Sequence, residues 1–246
     1  MAESRHPRAD VGPTGRARAR LWSRLQLATL LLAVGALTTF YAHVTPPAEG
    51  PDAGAHLRYA AWLQEGWRRP ELTEANARLS HQIVSQPPLY YVLVAALLGD
   101  LRAESGFRLD NLNPQWPGDS RRVSVTPPDA TPREALPWRL AAFVSLWGSL
   151  LTVLSTWGLV RSALPGRRRL ALAAAAGVGF NPQFLFAGAT VTNDTWAAGL
   201  AVLSAWLAAR ACRPDPARGG AWLRPSVRAV ERGRAPVRGG AWLAAG

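Results

Sequence analysis

Twenty consecutive residues without a formal charge, Leu25–Val44 (LQLATLLLAVGALTTFYAHV), constrain this chain more than any other stretch. At the rise of an α-helix they reach about 30 Å, the hydrocarbon thickness of a bilayer. The sequence that follows, TPPAEGPDAGAHLRYAAWL, stops the helix with Pro46 and Pro47 and then presents Glu49, Asp52 and His56. A span that delivers two carboxylates and an imidazole to the edge of an apolar layer is the frame for everything else.

Further apolar blocks stand at 140–160, at 170–191 (interrupted by Asn181-Pro182) and, shorter, at 195–209, with 86–101 apolar but short for a crossing. These blocks predict an all-α integral membrane protein, a multi-pass helical bundle of about four or five apolar segments. The mean hydropathy of −0.01 hides this, because it averages apolar blocks with arginine-rich flanks. No A-x-A-like cleavage site follows the first block, so it reads as a retained signal anchor.

The net charge of +12 is carried by arginine alone, for the chain has no lysine. Arg5, Arg8, Arg16, Arg18, Arg20 and Arg24 crowd the first 24 residues, and 161–169 is a short basic turn. Those are the flanks of apolar runs, so topology accounts for the charge and no nucleic-acid partner is expected. Residues 1–24 read as a disordered, basic cytoplasmic arm, 25–210 as the membrane domain, and the location as the plasma membrane with the N-terminus inside. A lone Cys212 excludes an internal disulfide framework and a multi-cysteine zinc site. Beyond 210 the text turns Arg/Gly-rich and repeats RGGAWL at 218–223 and 238–243. Residues 211–246 are expected to be a disordered tail, or unrelated sequence replacing the rest of a membrane domain cut short.

Charge also sets a parity. If 161–169 is cytoplasmic, 140–160 runs inward and 170–191 runs back out, which places Asn193 and Asp194 on the outer face with Glu49, Asp52 and His56. Residues 86–101 must then be re-entrant or surface-lying; the alternative is a full crossing, with 161–169 breaking the charge rule. The extracytoplasmic first loop, 45–86, is expected to carry short amphipathic helices. Leu57, Ala60, Ala61 and Trp67 fall at roughly helical spacing for a helix lying along the headgroups with its arginines outward. Residues 102–137 read as a loop with little regular structure.

Three clusters could carry chemistry. In the first, Asp52 and Glu49 could deprotonate a hydroxyl or hold a divalent cation, with His56 four residues on sharing that cation; equally, Asp52 could be a helix N-cap. In the second, Gln86-Pro87-Pro88-Leu89-Tyr90-Tyr91 fits both a helix start with an interfacial aromatic belt and a rigid wall beside a lipid phosphate. In the third, Asn181-Pro182 leads to Asn193-Asp194, polar residues at membrane-helix ends that read as functional or as caps. Arg139, before an apolar run, is most simply a snorkelling anchor.

Taken in this order, the clusters resemble the N-terminal part of membrane glycosyltransferases of the GT-C type, the bacterial relatives of protein mannosyltransferases. The matching residues are Asp52, His56, Pro87-Pro88-Leu89-Tyr90-Tyr91, Arg139 and Asn181-Pro182…Asn193-Asp194, spread over about residues 25–210. The resemblance implies transfer of a sugar from a polyprenyl-phosphate carrier in the lipid to an extracytoplasmic acceptor. It implies Asp52, Glu49 and Asp194 as catalytic carboxylates, and His56, Gln86, Tyr90, Tyr91, Arg139 and Asn193 as substrate-binding residues. A divalent metal ion on Asp52, His56 and Asp194 is the implied cofactor. Ala53 departs from the family, which usually has Glu there, and such enzymes usually continue through further spans, so an incomplete fragment is expected. The alternative reading is a non-catalytic multi-pass membrane protein.

Overall fold

The computed structural model describes residues 13–71, 73–75, 83–109, 127 and 129–212, all helix, turn or loop with no strand among them. The chain divides after Ala209, and the elements below lie in the first unit, save the last two residues of α7. They are α1 (Pro13–Val44), α2 (Ala53–Gly66), α3 (Leu89–Leu98), α4 (Pro132–Ala163), α5 (Arg168–Gly179), α6 (Pro182–Ala189) and α7 (Asp194–Ala211), with a 3-10 segment at Ala103–Leu109.

Among the described residues two helices are long and apolar enough to cross a membrane, Leu21–Val44 within α1 and the 32-residue α4. A third crossing follows if α5 and α6, bent by 60° at their junction, count as one broken span. The break has a local cause. Pro182 has no N–H to continue the ladder, and Asn181 caps the new helix by accepting from the Phe184 amide at 3.2 Å. α7 has 18 residues but is not among the candidate spans. α3, at ten residues, is about 15 Å long and too short to cross, which removes the full crossing of 86–101.

Several boundaries differ from the sequence expectation. α1 starts at Pro13, so residues 13–24, expected as an unstructured arm, extend the helix. Arg, Ala and Leu are good helix formers, and adding a residue to an existing helix avoids the nucleation penalty. Residues 1–12 and the RGGAWL repeats lie outside the described residues. α4 starts at Pro132, inside the expected loop, because Thr131 and Glu134 form a reciprocal capping box with proline in the first turn. The signal Thr131-Pro132-Arg133-Glu134 was present in the sequence.

α2 forms where an amphipathic helix was expected, but in a different environment. Leu57, Tyr59, Ala60, Ala61 and Leu63 are all buried against α3, the 3-10 segment and the start of α4, whereas Trp67 is 60% exposed at the C-cap. Arg58 does not project outward; it lies over the Phe107 ring, 4.7 Å from its centroid.

α4 joins two cores. Its first turns, through Trp138, Ala141 and Val144, complete the core made by α2 and α3, and Val153 packs with Leu30, Val34, Ala175 and Leu185 of α1, α5 and α6. Along it, Ser145, Gly148, Ser149, Thr152, Ser155 and Gly158 make a stripe of small residues at three- and four-residue steps. The stripe admits close neighbours: a Cβ on Gly148 would lie 2.7 Å from Thr195 Oγ1, and one on Gly158 would run into the Trp206 indole.

Candidate functional site

The ends of α1 and α6 and the start of α4 meet at one end of the bundle. They enclose an open cavity of about 760 Å³ lined by His43, Glu49, Ala53, Arg133, Arg139 and Thr190, among others. Gly50 lets the 45–52 loop press on the 190–191 segment, since a Cβ there would sit 2.8 Å from the Thr190 Cβ. The Glu49–His56 loop and the Asn193–Asp194 turn therefore share one end of the bundle. Arg161, at the other end of α4, hydrogen-bonds Ser23 of α1 at 3.1 Å and lies over the Trp157 ring.

Beside this cavity α2 and α3 build a chain of polar contacts. The Tyr91 hydroxyl donates to Gln86 Oε1 at 2.6 Å and also meets His56 Nδ1 at 2.9 Å. The His56 and Tyr91 rings are nearly parallel, with centroids 5.8 Å apart, and Tyr59 stacks on Tyr91 at 4.0 Å. Tyr59, three residues after His56 on the same helix, was not singled out in the sequence; the i, i+3 spacing was the signal that could have found it. The next tyrosine faces the other way. Tyr90 donates to the Ala141 carbonyl at 3.1 Å and lies 3.2 Å from Ser145 Oγ, while Ser145 donates to the Thr192 carbonyl at 3.0 Å. Both tyrosines are fully buried, so they are core anchors and not members of an interfacial belt.

Electrostatics follow burial. Desolvation outweighs the pull of the Asp194 and Asp52 charges and lowers the His56 pKa to about 4, leaving the ring neutral at pH 7. Burial raises the pKa of Tyr90, and burial with the neighbouring Tyr90, Tyr59 and Asp194 raises that of Tyr91, so both phenols stay protonated.

Asp52 occupies the N-cap position of α2 in the left-handed region (φ 54°), yet its side chain caps nothing and is exposed. Asn193, half-buried, starts α7 with its carbonyl, which accepts from the Trp196 and Ala197 amides. The exposed Asp194 is the first residue of α7, and its amide bonds Thr192 Oγ1 at 3.2 Å. Its charge reaches both His56 and Tyr91. Arg139 is exposed and lines the large cavity as well as a smaller one running down between α1 and α4.

Two groupings therefore emerge: Gln86, Tyr91 and His56 with Asp52 and Asp194 in electrostatic reach, and Glu49 with Arg139 at the cavity. Ser145, which fastens Tyr90 to Thr192 and so to the Asn193 turn, was missed in the sequence, because the pairing spans 47 residues. A metal ion does not fit the first grouping. Among the described residues no three His, Cys, Asp or Glu side chains are placed to hold one. No family model, curated protein or solved structure matches the chain.

Proposed function

We propose that the chain is a multi-pass membrane protein acting as a glycosyltransferase of the GT-C type, moving a sugar from a polyprenyl-phosphate carrier to an extracytoplasmic acceptor. Exposed Leu32, Phe40, Phe143 and Trp147 on the flanks of α1 and α4 support the membrane setting, since large apolar side chains facing outward suit lipid. Arg24, Arg161 and Arg167–Arg169 gather away from the acidic loop, which supports a cytoplasmic N-terminus in the plasma membrane.

The observation that carries the catalytic reading is the meeting of the Asp52 loop, His56, Tyr91 and the Asp194 turn at one end, next to a cavity that holds Glu49 and Arg139. Asp52 takes the proton of the acceptor hydroxyl as its oxygen bonds to the sugar, and the phosphate leaves with the electron pair of the broken bond. Arg139 suits the phosphate. Glu49 lines the same cavity as Ala53, so it can supply the carboxylate that the family pattern puts at position 53.

Asp52→Asn is expected to abolish transfer while the protein still resists alkaline extraction from membranes; undiminished transfer overturns the assignment. Ala53 supports a second reading, a non-catalytic membrane protein, because a methyl group stands on the cavity wall where the family has an acid. That reading expects no binding of polyprenyl-phosphate sugars, so a measurable affinity decides against it.

A further inference from the structure

Gln86 and Tyr91 entered as candidates for touching substrate, but their hydrogen bonds point to another task. A phenol has one proton to give. In Tyr91 it goes to Gln86 Oε1 at 2.6 Å, so at the 2.9 Å contact with His56 the phenol oxygen can only accept. The hydrogen in that contact must then sit on Nδ1 of the imidazole. A neutral imidazole carries one N–H, and Nε2 is left with a bare lone pair. We infer that Gln86 and Tyr91 are positioning residues that hold His56 in the Nδ1–H tautomer and keep Nε2 as an unprotonated acceptor.

The surroundings fix each member of the chain. Tyr59 stacks on the Tyr91 ring at 4.0 Å, and Tyr90 meets the same ring edge-on with centroids 5.3 Å apart, so the phenol cannot swing away from its two partners. Gln86 sits in the turn before α3, whose amide bonds the Ile83 carbonyl at 2.9 Å. His56 is 5% exposed, and among the described residues Nδ1–Tyr91 is the sole hydrogen bond of its ring. Free histidine side chains favour the opposite tautomer, Nε2–H, so the arrangement works against an intrinsic preference. The low His56 pKa keeps the ring neutral over the range where a tautomer has meaning.

On the transferase reading, on which this role rests, Nε2 accepts a hydrogen bond from a hydroxyl of the sugar or of its acceptor. The tautomer itself does not rest on it. The test is nuclear magnetic resonance of the full chain in lipid nanodiscs, labelled with ¹⁵N-histidine, at pH 8. The sequence holds four histidines, and His56→Leu identifies the signal. Wild type is expected to show Nδ1 protonated and Nε2 bare. Gln86→Leu, which removes the acceptor, is expected to shift the tautomer ratio toward Nε2–H by about fivefold, the worth of one net hydrogen bond. Gln86→Glu, a carboxylate that can only accept, is expected to restore the wild-type pattern. Nε2–H in wild type overturns the inference, and so does an unchanged ratio in Gln86→Leu. If Gln86→Leu does not fold, wild type and Gln86→Glu decide alone. The readout needs no sugar donor, so a chain inactive in transfer but with Nδ1–H would sink the proposed activity and leave this inference standing.

Discussion

The two cores that α4 joins are built on opposite rules. The one around α2 and α3 is dense with large side chains: Leu57, Tyr59, Tyr91 and Leu109 are fully buried there, and Trp138 is locked by its indole N–H on the Gly106 carbonyl at 2.9 Å. Gln64 ties it further, bonding the Gly99 and Leu101 carbonyls and accepting from the Ala103 amide. The one among α1, α4, α5 and α6 is small, with Leu30, Val34, Val153, Ala175 and Leu185 as its buried members. Glycines hold it close: a Cβ on Gly179 would lie 2.7 Å from Val34, and one on Gly188 would strike Ser149 Oγ. The first is assembled like the interior of a water-soluble domain, where removal of apolar area from water drives packing. The second is assembled like a membrane bundle, where lipid is as apolar as leucine and close contact does the work.

Large-to-small changes should therefore hurt the first core most. Tyr91→Ala removes a ring that stacks on both His56 and Tyr59 and is expected to lower stability by about 3–5 kcal/mol, the range for buried aromatic truncation. Unfolding followed by near-ultraviolet circular dichroism in nanodiscs measures it. Val34→Ala, in the bundle, should lose less, because in the proposed membrane setting the exposed alternative for Val34 is lipid. Equal losses would break the contrast.

Acid should act on the same core. The His56 pKa is lowered by burial to about 4, against 6.5 in the unfolded chain. The unfolded state thus binds the extra proton first, and stability falls as pH drops from about 6.5 to about 4. The loss is on the order of 3 kcal/mol across that window. His56→Leu should flatten the slope; a slope that survives the substitution would place the titrating group elsewhere.

How much of this was legible depends on the range of each interaction. The span at Leu25–Val44, the break at Asn181-Pro182 and the shared end of Asp52 and Asp194 follow from charge and composition, which are local or additive. The Thr131-x-x-Glu134 box and the small-residue stripe of α4 were also local, and were overlooked because loop composition and hydrophobicity masked them. The contacts of Tyr91 with His56 and of Ser145 with Thr192 join residues 35 and 47 apart, and nothing in their own neighbourhoods announces the partner.

The bundle should show the mirror-image sensitivity. Gly188→Val adds bulk where Thr38 and Ser149 already crowd, and is expected to destabilise by about 1–3 kcal/mol through overpacking. Gly66→Val is the control, because a Cβ there meets nothing within 4 Å. Comparable losses from both would show that contact in the bundle is loose.

The smallest effect tests the N-terminal cap of α4. Thr131 accepts from the Glu134 amide at 3.3 Å, and Glu134 returns a carboxylate to the Thr131 amide at 2.8 Å while also pairing with Arg108 of the 3-10 segment. Thr131→Ala removes one half of that exchange and should lower stability by about 1 kcal/mol. The exposed Arg108 pair adds little by itself, since solvent screens it, so Arg108→Gln should change stability by less than Thr131→Ala does. The reverse order would mean that α4 is fixed by the ion pair and not by its cap. Hydrogen exchange at the amides of 133–136 distinguishes the two, because a lost cap frays the first turn of α4 and a lost ion pair leaves it closed.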